Sequence, residues 1–168
     1  MNELSEYVTD VSAEIAKRSI TCFGTIIIRL PHLSQTVSTQ LKGFLTLQIS
    51  YVTTETIKVL KDILRKYPDF VEEFVPLIAR VQTDQIMDNE GKVAFVWILG
   101  EFGQFIDEAP YILERMAEES TELNNAELSS ALFIGTYKLF FRRAPETKAL
   151  LQRLFQEIMQ AGTDAHLK

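Results

Sequence analysis

Apolar residues recur at steps of three and four along almost the whole 168-residue chain, which is the spacing of one face of an α-helix. One such series consists of Ile57, Leu60, Ile63 and Leu64, and another follows Pro68. No turn dipeptide separates segments of alternating apolar and polar residues, as it would in a β-hairpin. The sequence therefore predicts an all-α fold.

Helix-start signals recur with a period typical of helical repeats. Proline suits the first turn of a helix, and four prolines are 37, 42 and 35 residues apart: Pro31, Pro68, Pro110 and Pro145. Candidate N-caps between them are 41, 36 and 36 residues apart: Ser12, Thr53, Asn89 and Asn125. Two helices per unit at this period indicate a HEAT- or armadillo-like α-solenoid of about four helix-pair repeats. We place these repeats of a single solenoid segment at about residues 1–49, 50–84, 85–121 and 122–168.

The most apolar stretch, KVAFVWILGEF from Lys92 to Phe102, fits this architecture. An inner helix of a solenoid is covered by its partner helix and by neighbouring repeats, so it is apolar nearly all round. A buried strand is the rival interpretation, but the pattern continues to Phe105, which is too long for a typical strand. We predict an inner helix over Lys92 to Gln104, with Trp97 in the core.

Glycines recur at matching places inside the predicted helices. Gly100 and Gly135 each precede a helix-starting proline by ten residues, and Gly24 lies seven residues before the first such proline. A mid-helix glycine costs about 1 kcal/mol relative to alanine. These three positions therefore predict close approach between helices, with a functional hinge as the alternative. Lys58 stands at the matching place in the second unit, so the repeat is imperfect.

Residues that carry catalysis or bind metals are scarce and scattered. The two histidines, His32 and His166, cannot form a metal cluster with the single cysteine, Cys22. No Gly-rich phosphate loop, nucleophile elbow or HExxH motif is present. We predict a protein that is not an enzyme and needs no cofactor or metal. Cys22 lies in an apolar run, which predicts a small buried side chain, and a lone cysteine fits a reducing compartment.

Charge is unevenly distributed along the chain. The net charge of −6 argues against nucleic-acid binding, which needs a basic face. Eight acidic residues but only one basic residue, Arg115, fall between Glu101 and Glu127. We interpret this stretch as a solvated outer face or, alternatively, as a docking patch for a basic partner. The candidate docking residues are Glu114, Glu118 and Glu122.

A weaker basic group lies on one face of a predicted helix and consists of Lys58, Lys61 and Arg65. It is interpreted as a solvated helix flank whose side-chain stems cover apolar neighbours, or as a site for a phosphoinositide or an acidic partner. No apolar run approaches the ~20 residues that span a bilayer, and the first residues lack the order of a secretory signal. We expect a cytoplasmic or nuclear protein that reaches membranes only through partners.

Four segments resemble the trunk of the beta-adaptins, the large beta subunits of heterotetrameric vesicle-coat adaptor complexes. They are LSEYVTDVSAEIAKRSI from Leu4, ILRKYP from Ile63, WILGEF from Trp97 with Ile106-Asp107 and residues 109–114, and KLFF from Lys138 followed by Pro145-Glu-Thr147. The segments occur in the family's order, and the resemblance covers nearly the whole chain, to about Ile158.

Within that family the segments resemble two different kinds of beta subunit. YVTDVSA from Tyr7, DNEGK from Asp88 and residues 109–114 resemble the beta subunit of the fourth adaptor complex, which works without clathrin. The Arg-Lys-Tyr-Pro turn and the Gly-Glu-Phe segment resemble the clathrin-associated beta subunits. The particular complex, and any involvement of clathrin, stay open.

The resemblance implies a non-catalytic scaffold, an internal piece of a longer trunk that holds the medium, small and second large subunits for cargo sorting and coat assembly. Arf-family GTPases, phosphoinositides and cargo would act on the whole complex. That complex would be peripheral on trans-Golgi network, endosomal or coated-vesicle membranes. The alternatives are a HEAT-repeat scaffold of another pathway, such as a transport receptor or a phosphatase scaffold, and an all-α regulatory enzyme domain.

Overall fold

The regular structure is helical throughout the part of the chain that is described. The computed structural model describes the backbone of residues 2–10, 12–123 and 125–165, and the side chains of these residues other than 2, 31, 121–123 and 161–165. Over those residues it contains nine α-helices, short 3₁₀ turns and no strand. The predicted fold class, all-α with paired helices as in an α-solenoid, is confirmed. The four repeat boundaries stay a prediction.

The helices are divided between two compact units, Met1–Phe95 and Val96–Lys168. The first unit contains α1 (Asn2–Tyr7), α2 (Ala13–Arg29), α3 (Ser34–Thr46), α4 (Ser50–Lys66), α5 (Val71–Ile78) and the start of α6 (Asn89–Phe102). The second contains the rest of α6, α7 (Ala109–Leu123), α8 (Ala126–Phe140) and α9 (Ala144–Ala165).

The core of the first unit forms where α2, α3 and α4 meet. α2 packs against α4, α3 packs against both, and α5 packs against α3. Ile20, Phe23 and Ile27 lie three and four residues apart on α2 and are all buried. Phe23 meets Phe44 of α3 edge to face, with ring centroids 5.2 Å apart. The apolar stripes of the sequence are thus the surfaces on which these helices pack.

The core of the second unit is built in the same way from α7, α8 and α9. α8 packs against α9, and α7 packs against both. The buried residues include Leu113 and Met116 on α7, Leu132 and Leu139 on α8, and Leu154 on α9. Their three- and seven-residue separations along α7 and α8 place each pair on one helix face.

Each of the four spaced prolines lies at a helix start, as predicted. Pro31 and Pro68 begin the 3₁₀ turns Pro31–Leu33 and Pro68–Phe70 that lead into α3 and α5. Pro110 and Pro145 are the second residues of α7 and α9. Since proline fixes φ and lacks an N–H, the first helical turn accommodates it without losing a hydrogen bond.

Two of the four N-cap predictions are correct and two are wrong. Ser12 precedes α2, and the Asn125 side chain accepts a hydrogen bond from the Leu128 N–H at 3.1 Å. Thr53 lies inside α4, which begins at Ser50, and its side chain is buried. Asn89 is the first residue of α6.

The N-cap of α6 is the residue before it, Asp88. Its Oδ1 accepts a hydrogen bond from the Gly91 N–H at 2.7 Å. A carboxylate in this position satisfies one of the unpaired N–H groups of the first turn. Asp88 immediately precedes the predicted cap, Asn89, and both residue types suit this position.

Helix α6 has nearly the character predicted for it, with two differences. Residues 94–100 are buried except for Trp97, which is half-buried and packs edge-on against Phe102 with ring centroids 6.1 Å apart. Trp97, which we predict to lie in the core, is therefore partly rather than completely buried. The helix ends at Phe102, short of the predicted Gln104, because Gly103–Phe105 forms a 3₁₀ turn.

The prediction for Cys22 is also wrong. Its side chain is exposed. The residues of the apolar run around Cys22 are distributed around the whole circumference of α2. Only the side of the helix that carries Ile20, Phe23 and Ile27 faces the core. Cys22 lies outside that three- and four-residue series, so helical geometry turns it towards solvent.

Candidate functional site

Lys58, predicted to belong to an exposed basic face, is buried, and only 11% of its side chain is exposed. Its Nζ donates a hydrogen bond to Glu55 Oε1 at 2.9 Å and another to Asp88 Oδ2 at 2.7 Å. Glu90 Oε2 lies 3.2 Å from the same nitrogen. The prediction of a solvent-facing Lys58 is wrong, because neighbouring carboxylates make its burial possible.

These carboxylates come from two helices. Glu55 is one turn before Lys58 on α4, while Asp88 and Glu90 flank the start of α6. Lys17 of α2 extends the group, since its Nζ lies 3.3 Å from Glu55 Oε1. We refer to these five residues as the Lys58 network. It joins three helices of the first unit through paired charges.

The electrostatics of the Lys58 network keep Lys58 charged. Burial by itself lowers the pKa of Lys58, but its hydrogen bonds to Asp88, Glu55 and Glu90 outweigh burial and raise the pKa above its ordinary value. Burial likewise raises the pKa of Asp88, yet the hydrogen bonds from Lys58 and from the Gly91 N–H lower it below its ordinary value. Both groups therefore stay ionised at neutral pH.

A cleft of about 350 Å³ borders the Lys58 network. We call it the network cleft. It is lined by Ala13, Glu14, Lys17, Tyr51, Thr54, Glu55, Met87 and Asp88, all of the first unit. The lining thus combines charged groups of the Lys58 network with apolar side chains.

The other two members of the predicted basic face are more accessible than Lys58. Lys61 is half-buried, and its Nζ lies 3.6 Å from Asp62 Oδ1. Arg65 is exposed. The structure thus leaves two of the three predicted basic residues at the surface, and their binding of a phosphoinositide or an acidic partner stays a prediction.

The acidic residues predicted to dock a partner lie on α7 of the second unit. Glu114 and Glu118 are both exposed and are one helical turn apart. Glu118 Oε1 lies 3.9 Å from Arg153 Nη1 of α9, a long and solvated ion pair that contributes little to stability. Glu122 belongs to α7, but its side chain lies outside the described residues. Docking through this group stays a prediction.

The three glycines singled out by their spacing lie where helices approach one another. A Cβ built on Gly100 would be 2.7 Å from Gly135 Cα, and one built on Gly135 would be 2.9 Å from Val96 Cγ1. A Cβ on Gly24 would be 2.6 Å from Val59 Cγ1. These distances are below van der Waals contact, so lack of space explains glycine at all three positions.

Metal sites and membrane-spanning helices have geometric requirements that can be compared with the described residues. Among the described residues, no group of three His, Cys, Asp or Glu side chains is arranged to hold a metal ion. His32 is exposed, and His166 lies outside the described residues. Over the same part of the chain, none of the helices combines the length and the apolar character that crossing a membrane requires.

Sequence reasoning missed a group of exposed aromatic side chains on α8 and α9. Tyr137, Phe141 and Phe155 are all largely exposed. The rings of Tyr137 and Phe141 meet edge to face with centroids 5.0 Å apart, and Phe133 lies between Tyr137 and Phe155. The signal was present in the sequence, because Phe133, Tyr137 and Phe141 recur every four residues, off the face that carries Leu132 and Leu139.

The paired helices of the described residues define a protein of the all-α, helical-repeat class. Within that class the chain belongs to the adaptin family, since residues 1–167 match the adaptin N terminal region. It is 36% identical to beta-adaptin-like protein A of Arabidopsis thaliana over 99% of this chain and 20% of that protein. It is 27% identical to AP-1 complex subunit beta-1 of Homo sapiens over 99% of this chain and 17% of that protein.

A third relative is also named as a beta subunit. The AP-2 complex subunit beta of Schizosaccharomyces pombe is 28% identical over 66% of this chain and 16% of that protein. The resemblance to beta-adaptins drawn from the four sequence segments is confirmed. The chain spans about a fifth of the length of the relatives it matches most fully. Two of these relatives are named as beta subunits, one of the AP-1 complex and one of the AP-2 complex.

Proposed function

We propose that this chain is part of a non-catalytic scaffold in an adaptor-complex beta subunit that serves vesicle-mediated intracellular protein transport. Its helix pairs hold the medium, small and second large subunits while cargo is sorted and the coat assembles. The observation that carries the proposal is the match of residues 1–167 to the adaptin N terminal region, together with relatives that are beta subunits.

The physical properties of the chain support a scaffold of this kind. Exposed charge on α7 and exposed rings on α8 and α9 provide polar and apolar surface for protein partners. The glycine contacts and the Lys58 network fix helices within each unit, which gives such surfaces a defined geometry. We propose that Arf-family GTPases and cargo act on the whole complex, and that the complex is peripheral on trans-Golgi network, endosomal or coated-vesicle membranes from the cytoplasmic side.

Co-purification tests the proposal. The tagged full chain is co-expressed with the medium and small subunits of an adaptor complex, and the captured material is analysed by stoichiometry and size. We expect a stable complex with adaptor subunits. Capture of a Ran-type GTPase or a phosphatase catalytic subunit in their place, or turnover of a substrate by the chain itself, contradicts the scaffold role.

The same experiment addresses which complex the chain serves. Parallel co-expression with medium subunits of the AP-1 type and of the fourth adaptor complex compares the two resemblances found in the sequence. We expect preference for the fourth-complex subunit if the segments from Tyr7 and Asp88 reflect partner choice. Preference for the AP-1-type subunit assigns the chain to the clathrin-associated complexes.

A further inference from the structure

We propose that the network cleft binds a lysine or arginine side chain from an extended segment of a partner protein. The cleft combines a charged floor with apolar walls in a single cavity of about 350 Å³, close to the lower size of ligand sites in proteins. This inference goes beyond the scaffold role and does not depend on it, because binding to the cleft involves only residues of the first unit.

The charge of the floor selects a cation. The Lys58 network contains three carboxylates and two ammonium groups, so its formal net charge is −1 even though each carboxylate contacts an ammonium group. Glu55 is 9% exposed and is committed to Lys58 and Lys17, but Asp88 and Glu90 are 45% and 74% exposed. Of these two, Asp88 lines the cleft, so its carboxylate is accessible to an incoming cation there while it remains paired with Lys58.

The same charges argue against an anion or a metal ion as the ligand of the cleft. An anion finds no unpaired cation, since Lys17 and Lys58 both contact Glu55. A metal ion requires several carboxylates free to ligate it, whereas Glu55, Asp88 and Glu90 all surround the Lys58 ammonium. A protonated side chain needs only one or two hydrogen-bond acceptors at the edge of such a group.

The walls of the cleft match the stem of a lysine or arginine. Its lining includes Ala13, Tyr51 and Met87, and Met87 is 67% exposed in the segment before α6. Long cationic side chains place their methylene groups on apolar surface while the charged end stays in a polar environment. Methionine adapts its shape to such stems. Because the accessible carboxylate of Asp88 is partly solvated, a free amine gains little there, and a peptide gains the additional contacts with the apolar lining.

A peptide titration tests the proposal on the full chain. The probes are the capped peptide Gly-Ala-Arg-Ala-Gly, its citrulline counterpart, which is neutral with nearly the same shape, and its glutamate counterpart. Binding is followed by the methyl NMR signals of the four methionines, of which Met87 is the one in the cleft. We expect the arginine peptide to shift the Met87 signal and to bind about tenfold more tightly than the citrulline peptide.

Two variants and a matched control sharpen the test. Lys17→Met removes the competing cation and keeps the stem, so we expect binding of the arginine peptide to tighten about threefold. Met87→Ser removes a wall in an exposed position, so we expect about threefold weaker binding. Lys148→Met makes the same change of net charge on α9, outside the cleft, and should leave binding unchanged.

Four outcomes overturn the proposal. The first is equal affinity for the arginine and citrulline peptides, and the second is a Met87 signal that does not move. The third is an affinity for the arginine peptide that rises as much in Lys148→Met as in Lys17→Met. The fourth is a higher affinity for the glutamate peptide than for the arginine peptide. None of these outcomes bears on co-purification with adaptor subunits, so the cleft and the scaffold role fail separately.

Discussion

Lys58 occupies the position in α4 that corresponds to a glycine in three other helices. Those glycines are Gly24 of α2, Gly100 of α6 and Gly135 of α8. The glycines allow a neighbouring helix to approach closely. Lys58 has the opposite character, a long charged side chain, and it is accommodated by carboxylates from its own helix and from the start of α6. A buried ammonium costs several kcal/mol without partners, so the Lys58 network has to form for α4 to pack as it does.

Removing the Lys58 charge should therefore be costly. For Lys58→Met we expect a loss of about 3–5 kcal/mol in the free energy of unfolding, because the buried Glu55 loses its closest cation. Urea denaturation followed by circular dichroism measures it. Lys61→Met, one turn later on the same helix, is the control and should change stability by less than about 0.5 kcal/mol. Equal effects for both variants would show that the Lys58 network contributes nothing specific.

Glu73 gives the first unit a dependence on pH. Its Oε2 accepts hydrogen bonds from Lys42 Nζ at 2.6 Å and from Ser38 Oγ at 2.9 Å, and these bonds lower its pKa below the ordinary value of 4.5. Because the folded pKa is the lower one, the stabilisation is present above the unfolded pKa and is lost as the pH falls through the folded pKa.

The pH dependence can be measured by difference. We expect Glu73→Gln to be less stable than the unmodified chain at about pH 7, and the gap in unfolding free energy to close as the pH falls below about 4. Glu72→Gln, an exposed neighbour on α5, should show no such gap. A gap for Glu73→Gln that stays constant with pH would contradict the assigned role of the carboxylate.

At the scale of helices, the contact of α6 with α8 depends on two glycines. A methyl group at Gly100 would meet the backbone of Gly135 at 2.7 Å, and backbone cannot rotate away as a side chain can. Gly43 on α3 offers a matched comparison, since a Cβ there meets nothing within 4 Å. The same substitution at the two sites thus separates helix propensity from packing.

For Gly100→Ala we expect destabilisation of about 1–3 kcal/mol from overpacking, partly offset by the better helix propensity of alanine. For Gly43→Ala we expect stabilisation of about 0.5–1 kcal/mol, because only the propensity changes. Thermal and urea unfolding of both variants measure the two effects. Stabilisation by Gly100→Ala would mean that α6 and α8 can separate freely and that the glycine serves another purpose.

The sequence predicted the helices better than it predicted the direction of individual side chains. Proline spacing and apolar periodicity are local signals, and they located the starts of α7 and α9 and the apolar character of α6. Exposure of Cys22 and burial of Lys58 depend on which helix covers which face, and that is decided by residues far along the chain. Asp88 is 30 residues from Lys58, and no local pattern joins them.

At the scale of the molecule, partner binding is the property least determined by the fold. The match to the adaptin N terminal region gives the family, but it names no contact residue in this chain. The exposed acids on α7 are candidates because the acidic stretch is nearly devoid of basic residues, and Glu114 and Glu118 project from one helix face. Charge complementarity at interfaces contributes mainly to association rate and specificity, so a charge reversal is a sensitive probe of their role.

We expect the double variant Glu114→Lys/Glu118→Lys to weaken binding of an adaptor medium subunit about tenfold, with most of the change in association rate and with a reduced effect at high salt. Surface plasmon resonance at two ionic strengths measures it. Asp69→Lys/Glu72→Lys changes the net charge equally at exposed positions of the first unit and is the control. Because the Glu118 pair with Arg153 is long and solvated, the reversal should not unfold the chain. Equal affinities for the two double variants would show that the acids of α7 are only solvated. The contacts with the medium subunit would then lie on another surface, and Tyr137 and Phe141, whose rings are exposed, would be the next residues to replace.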